Sequence, residues 1–163
     1  MHILIKNKLL NCGNYKVKCA VGKRGIKIKK KEGDLITPKG LFKIKRVLYR
    51  KDRIGRLNTK LKKTPIKKNM GWCDDPSSKF YNKLINFPFK FNAEKLFKRE
   101  NIYDIILVLD FNMNPIRKNK GSAIFIHIAK KKFTPTKGCV AISKNVLKKI
   151  LSKINKDCKV RIT

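Results

Sequence analysis

The chain has 163 residues, of which 43 are Lys or Arg and 10 are Asp or Glu, giving a formal net charge of +33. That is the length of one domain, and with 42% hydrophobic residues it can bury a core without a disulfide or metal to staple it. With only His2 and His127, and five irregularly spaced cysteines that form no Cys-x-x-Cys pair, the sequence argues against a zinc site and against a disulfide framework, though one bridge is possible.

In chain order, Ile3 to Leu10 and Tyr15 to Val21 alternate as half-buried strands do, around the turn sequence Asn11-Cys12-Gly13-Asn14. Lys-rich strands are expected at Ile26 to Lys29 and at Phe42 to Tyr49. Gly33-Asp34 and Thr37-Pro38-Lys39-Gly40 break the chain between them. Lys alternating with Ile reads as a solvated strand face whose charge discourages edge-to-edge pairing. Lys51 to Lys68 is basic and weakly patterned, as in an exposed loop. Trp72 falls in the turn-like Gly71-Trp72-Cys73-Asp74-Asp75-Pro76, either as a lid on a small core or as a platform for a ligand. Asp74 and Asp75, among few acids, are candidates to hold a Lys or Arg.

Ala93 to Glu100 is compatible with a short helix. Ile102 to Phe111 and Ala123 to Ala129 are apolar, β-branched runs expected as central buried strands, with His127 near the end of the second. Cys139 to Ile142 reads as a short strand or turn. Ser143 is a plausible N-cap for a helix to about Ile154, with Val146, Leu147, Ile150, Leu151 and Ile154 on one face. Val160-Arg161-Ile162 closes the chain as a strand. The sum is a mainly β single domain over residues 1–163, with one or two short helices.

The charge admits a nucleic-acid binder or a protein working against an anionic wall polymer or membrane surface. The excess is mostly Lys, with Ile and Asn also abundant, as AT-rich codons would supply. Planar recognition of bases and phosphates favours Arg instead. No sequence-specific nucleic-acid partner is therefore expected, only salt-sensitive attraction to polyanions. Met1 to Leu10 is interrupted by Lys and lacks the apolar stretch and cleavage site of a signal peptide. No apolar run is long enough to span a bilayer.

The chemistry concentrates at Thr136-Lys137-Gly138-Cys139, downstream of His127. A free thiol has a pKa near ~8.5 and needs a neighbouring base, or an imidazolium that stabilises the thiolate, to serve as a nucleophile. Cys139 and His127 are the candidate pair. The backbone N–H groups of Gly138 and Cys139 are candidate oxyanion donors. The alternative is an inert, buried Cys in a non-catalytic basic polymer-binding domain.

The residues Gly121-Ser122-Ala123-Ile124-Phe125-Ile126-His127, followed by Thr134-Pro135-Thr136-Lys137-Gly138-Cys139-Val140-Ala141, resemble the active-site region of the L,D-transpeptidase, or YkuD, family. Its signature is a strand-borne His, a loop, then Ser/Thr-His-Gly-Cys. Lys137 stands where the family carries the second His, and Val140-Ala141-Ile142 where it often carries Arg or Asn. Val21-Gly22-Lys23-Arg24-Gly25-Ile26, Thr37-Pro38-Lys39-Gly40-Leu41-Phe42 and the Gly71-to-Pro76 turn with Tyr81-Asn82 are similar to further family segments. The resemblance implies a barrel- or sandwich-like β fold and a cysteine-dependent acyl transfer on peptidoglycan stem peptides, with no cofactor and no metal. It implies a monomer in the periplasm or cell envelope. Thr136, Lys137 and Trp72 would contact substrate. An L,D-carboxypeptidase or amidase using the same Cys–His pair with water is the alternative enzyme.

Overall fold

The computed structural model describes residues 1–163. In chain order it contains β1 (Ile3–Lys6), β2 (Leu9–Cys12), β3 (Tyr15–Lys18), β4 (Ile26–Lys27), β5 (Thr37–Pro38), β6 (Gly40–Tyr49), α1 (Lys51–Ile54) and β7 (Lys63–Pro65). There follow β8 (Met70–Cys73), β9 (Leu84–Asn86), β10 (Ala93–Lys95), a 3-10 turn at Asn101–Tyr103, β11 (Ile105–Leu109), β12 (Phe125–Ile128), β13 (Val140–Ile142), α2 (Lys144–Lys153) and β14 (Lys159–Ile162). The mainly β class read from the sequence is what the chain adopts.

Nine strands form the principal sheet, in the order β13-β12-β11-β6-β14-β1-β2-β3, with β7 added beside β6. The two ends of that order meet. Ala20, just past β3, exchanges both backbone hydrogen bonds with Ala141 of β13, at 2.8 and 2.9 Å. The sheet thus nearly closes into a barrel, a closure that removes exposed edges. It also brings the N-terminal Val21-Gly22 segment against the Thr136 loop, more than 100 residues away in the chain: Thr136 N–H donates to Val21 O, and Lys23 N–H to Thr136 O.

β11 is buried on both faces, and its side chains alternate between two cores. Ile105, Leu107 and Leu109 point into a core of 26 buried residues that α2 covers. Ile106 and Val108 point the other way, into a smaller core roofed by the three-stranded sheet β10-β8-β9. The same alternation in β12 sends Ile126 and Ile128 into the large core and Phe125 into the small one, with His127 on the Phe125 side. A ten-residue helix such as α2 is marginal alone. It is held by Leu147, Ile150 and Leu151, each at most 1% exposed, and full burial of such a side chain contributes roughly 1.5–3 kcal/mol.

Local expectations needed correction in several places. Ile3 to Leu10 is two strands rather than one, because Asn7 and Lys8 take positive φ (49° and 59°) and turn the chain while the alternation continues. Lys51 to Lys68 holds α1 and β7. Arg50 and Arg53, at and just beyond its start, bond the carbonyls of Lys98 and Arg99 and the carboxylates of Asp52 and Asp104. Ala93 to Glu100 is not helical. Its backbone pairs with β8 as an edge strand, which satisfies the hydrogen bonds a helix would have made internally. Residues 102 and 103 belong to the 3-10 turn rather than to β11. Ser143 precedes α2 in an extended conformation, and its carbonyl accepts Leu147 N–H, but its hydroxyl makes no cap bond. All five cysteines are free thiols.

Candidate active site

His127 occupies the third position of β12, paired to Ile106 on one side and Ala141 on the other. It is 7% exposed. Its Nδ1 lies 3.0 Å from the carbonyl oxygen of Ile128. A carbonyl can only accept, so Nδ1 carries the proton and Nε2 is left with its lone pair. The Tyr103 ring meets the imidazole edge-on, with centroids 5.3 Å apart, and fixes the ring plane. The Tyr103 hydroxyl donates to Glu94 Oε1 at 2.8 Å, and Lys98 Nζ reaches the same oxygen at 3.1 Å.

Cys139 is half-buried and precedes β13. Its thiol donates to the carbonyl of Ala123 at 3.1 Å. Ala123 has φ +51° and is itself held through its N–H by Asn82 Oδ1 at 3.1 Å. Burial pushes the Cys139 thiol up to about 12. The Glu94 charge adds to that, while the Phe125 backbone N–H, Lys29 and Lys98 act downward. Burial also lowers the His127 pKa below its ordinary value, against an upward influence from the Ile128 bond and Glu94. Both influences favour a neutral thiol beside a neutral imidazole, which, of the two roles open in the sequence, suits His127 as base. Exclusion of water disfavours either charge.

The loop that delivers Cys139 is bonded from within and from β5. Thr136 Oγ1 donates to Cys139 O at 2.6 Å and accepts Gly138 N–H at 3.1 Å. Thr37 Oγ1, from β5, donates to Gly138 O at 2.8 Å and accepts Gly22 N–H at 2.7 Å. Gly138 has φ +142°, and a Cβ there would stand 3.0 Å from Ile36 O, so both conformation and space call for glycine. Gly22 is tighter still: a Cβ would meet Leu35 O at 2.4 Å. The Thr37-Pro38 and Val21-Gly22 segments thus brace the Cys139 loop.

Of the two oxyanion donors expected from the sequence, the Gly138 N–H is occupied by Thr136. The Cys139 N–H meets no acceptor within the protein. Cys139, His127, Thr136, Lys137 and Gly138 all line one cavity of about 510 Å³. Lys137 is exposed at its rim. Trp72 is not part of it. It lies in β8 rather than in a turn, is 5% exposed, donates from Nε1 to Asn82 Oδ1 at 3.0 Å and packs edge-on against Phe125. The large apolar indole is better buried in the small core than presented to solvent, so the expected substrate contact is replaced by a supporting role. Neither Asp74 nor Asp75 holds a Lys or Arg. Asp75 instead accepts from Ser77 and from Asn92 N–H.

Residues 5–162, nearly the whole chain, match the family model of the L,D-transpeptidase catalytic domain, YkuD. The protein belongs to that family. A search of curated proteins found no match. The family acts in general on peptidoglycan stem peptides and is generally associated with the cell envelope. No helix here is long and apolar enough to cross a membrane. Several residues of this YkuD site were not singled out from the sequence. Thr37 lay in a recognised motif without an assigned role. Tyr103 and Glu94 lay in segments read as a strand and a helix. Ala123 gave no signal, because nothing in an alanine announces a left-handed backbone.

Proposed function

We propose that the protein is a cysteine-dependent L,D-transpeptidase that forms a thioester with a peptidoglycan stem peptide and passes the acyl group to an amine. The observation that carries the reading is the placement of Cys139 and His127 in one cavity, with Nδ1 committed to Ile128 O and Nε2 free to act as base.

The thiol turns from the Ala123 carbonyl toward His127, and Sγ attacks the peptide carbonyl between a diamino acid and the terminal D-Ala. Nε2 takes the thiol proton as the S–C bond forms, so no free thiolate accumulates. The free Cys139 N–H meets the developing oxyanion; loss of one such donor typically costs roughly 10²–10³ in rate. The C–N bond breaks, and His127 returns the proton to the departing amine of D-Ala. An amine of a neighbouring stem then attacks the thioester. His127 accepts its proton and passes it to Sγ as the C–S bond breaks, which regenerates the thiol. Water in place of that amine would give the L,D-carboxypeptidase outcome. The net charge of +33 draws the protein to anionic wall polymer and affects encounter more than chemistry.

The test is incubation with a disaccharide-tetrapeptide followed by mass spectrometry. A thioester adduct on Cys139, release of D-Ala and a cross-linked dimer are expected, and Cys139→Ala should abolish all three. D-Ala release without dimer assigns hydrolysis. An adduct on Cys73, or no adduct with intact substrate, refutes the assignment.

A further inference from the structure

Three of the ten acidic residues, Glu32, Asp74 and Glu94, line the cavity that contains Cys139 and His127. Four lysines line it too, and two of them are paired, Lys29 with Asp34 and Lys98 with Glu94. Two of the three acids are already engaged. Glu32 accepts the Tyr81 hydroxyl, and Glu94 accepts from Tyr103 and Lys98. Asp74 is different. Its Oδ1 is buried without a hydrogen-bond partner, and it forms no ion pair although the chain has 43 Lys and Arg residues.

A second observation is independent of the acids. Ser122 is 5% exposed, lines the same cavity, and its Oγ makes no well-formed hydrogen bond, although it acts on the nearby Tyr81 hydroxyl. These two are the only buried side-chain N or O atoms in the protein left unsatisfied, and both residues line one cavity. Each such atom carries a desolvation cost that a ligand can relieve.

Both line the cavity that holds Cys139, and hydrogen bonds link the segments that carry them. Asp74 directly follows β8. Asn82 Oδ1 bonds Trp72 Nε1 on that strand and Ala123 N–H, while the Tyr81 hydroxyl accepts Gly121 N–H at 2.9 Å. Ser122 sits between these two clamped residues. Ala123, its neighbour, is the residue whose carbonyl receives the Cys139 thiol.

We propose that Asp74 and Ser122 form a binding place for a primary ammonium group on the acyl donor, the free side-chain amine of its diamino acid. This rests on the acyl-transfer reading above. A carboxylate and a hydroxyl oxygen offer acceptors, and a primary ammonium is a compact cation with three donors. Burial raises the Asp74 carboxyl above its ordinary range, its own backbone N–H acts downward, and Glu32, Glu94 and Asp75 add repulsion; a bound cation offsets both burial and repulsion. The bound amine is a recognition element and not the attacking group. A carboxylate partner holds an amine protonated, and a protonated amine is no nucleophile. The donor is also the substrate whose reacting carbonyl must lie beside Cys139, next to Ala123.

The test uses the full chain and does not require turnover. Protection of Cys139 from iodoacetamide at pH 8 is measured with a tripeptide ending in L-Lys and with the same peptide Nε-acetylated. In the wild type the free amine should protect at a roughly ten- to hundredfold lower concentration, the range expected for a charge-assisted hydrogen bond. Asp74→Asn should remove that preference and Ser122→Ala should narrow it, with melting temperature and unprotected alkylation rate as checks on the fold. Equal protection by the two peptides, protection by neither, or a preference that survives Asp74→Asn overturns the proposal. A preference without acyl transfer to any stem peptide supports this site and sinks only the acyl-transfer reading. Transfer without the preference does the reverse.

Discussion

The resting ionisation of Cys139 can be read directly from its reactivity. Burial, with Glu94 adding to it, pushes the thiol from 9.0 up to about 12 against the downward influence of Phe125 N–H, Lys29 and Lys98. His127 stays below its ordinary value and so is neutral at pH 7. Only about 10⁻⁵ of Cys139 is then thiolate at pH 7, against about 10⁻² for a thiol titrating at 9.0. The deficit is partly offset, because a more basic thiolate is a better nucleophile. With a Brønsted slope of about 0.4–0.5, three pKa units return roughly 16- to 32-fold. Iodoacetamide should therefore alkylate Cys139 about 30- to 60-fold more slowly than free cysteine at pH 7. The rate should climb tenfold per pH unit from pH 7 to 10 without a plateau. His127→Ala should leave this small-electrophile rate nearly unchanged while abolishing thioester formation from a stem peptide, because the imidazole acts on the proton during attack. Stopped-time alkylation with mass readout at Cys139 measures both. A rate at pH 6 that exceeds free cysteine and stays flat to pH 8 refutes the reasoning, since it requires a preformed thiolate–imidazolium pair.

Asp34 offers a stability test. Burial acts upward on its carboxyl, but the Lys29 ion pair and the N–H groups of Lys30, Ile36 and Lys31 prevail and hold it at about 2, below the ordinary 3.8. A folded value below the unfolded one means stability that is fully present above about pH 4 and lost as pH falls through about 2. The shift corresponds to about 2 kcal/mol. Urea unfolding of Asp34→Asn should show that loss at pH 6 and a flatter decline between pH 4 and 2; a wild-type-like decline would remove the assignment. Thr37→Val keeps the size of the side chain but strands Gly22 N–H and Gly138 O, two buried groups, at about 2–4 kcal/mol. Thioester formation should fall beyond what the stability loss explains, and Thr37→Ser should restore both; unchanged acylation would mean that the Thr37 bonds do not position the loop.

The fold class was legible in the sequence, and so was the candidate pair that the structure places in one cavity, because both rest on local pattern. Alternation and β-branched runs specify the strands, with β11 and β12 standing out as unbroken apolar segments. Cys139 and His127 are named by their motif, since each carries chemistry that no neighbouring residue does. Where local pattern was ambiguous, partners decided. Ala93 to Lys95 has no intrinsic reason to be a strand until β8 offers its edge. Trp72 reads as a lid more readily than as a platform, and Phe125 and Asn82 settle it by burying the indole.

The sequence alone determined the residue types that can do chemistry, the strands that carry them, and a surface too basic for most acids to be casual. Only the tertiary structure decided which groups face one another. Near-closure of the barrel through Ala20 and Ala141 brings Thr37 and Gly22 under the Cys139 loop. It also takes up the Gly138 N–H with Thr136 and leaves the Cys139 N–H free. The ionisation of Cys139 and His127 likewise follows from burial, which depends on every element packed around them. Hydrogen bonding and desolvation act through space over a few ångströms, and separation along the chain carries no information about them.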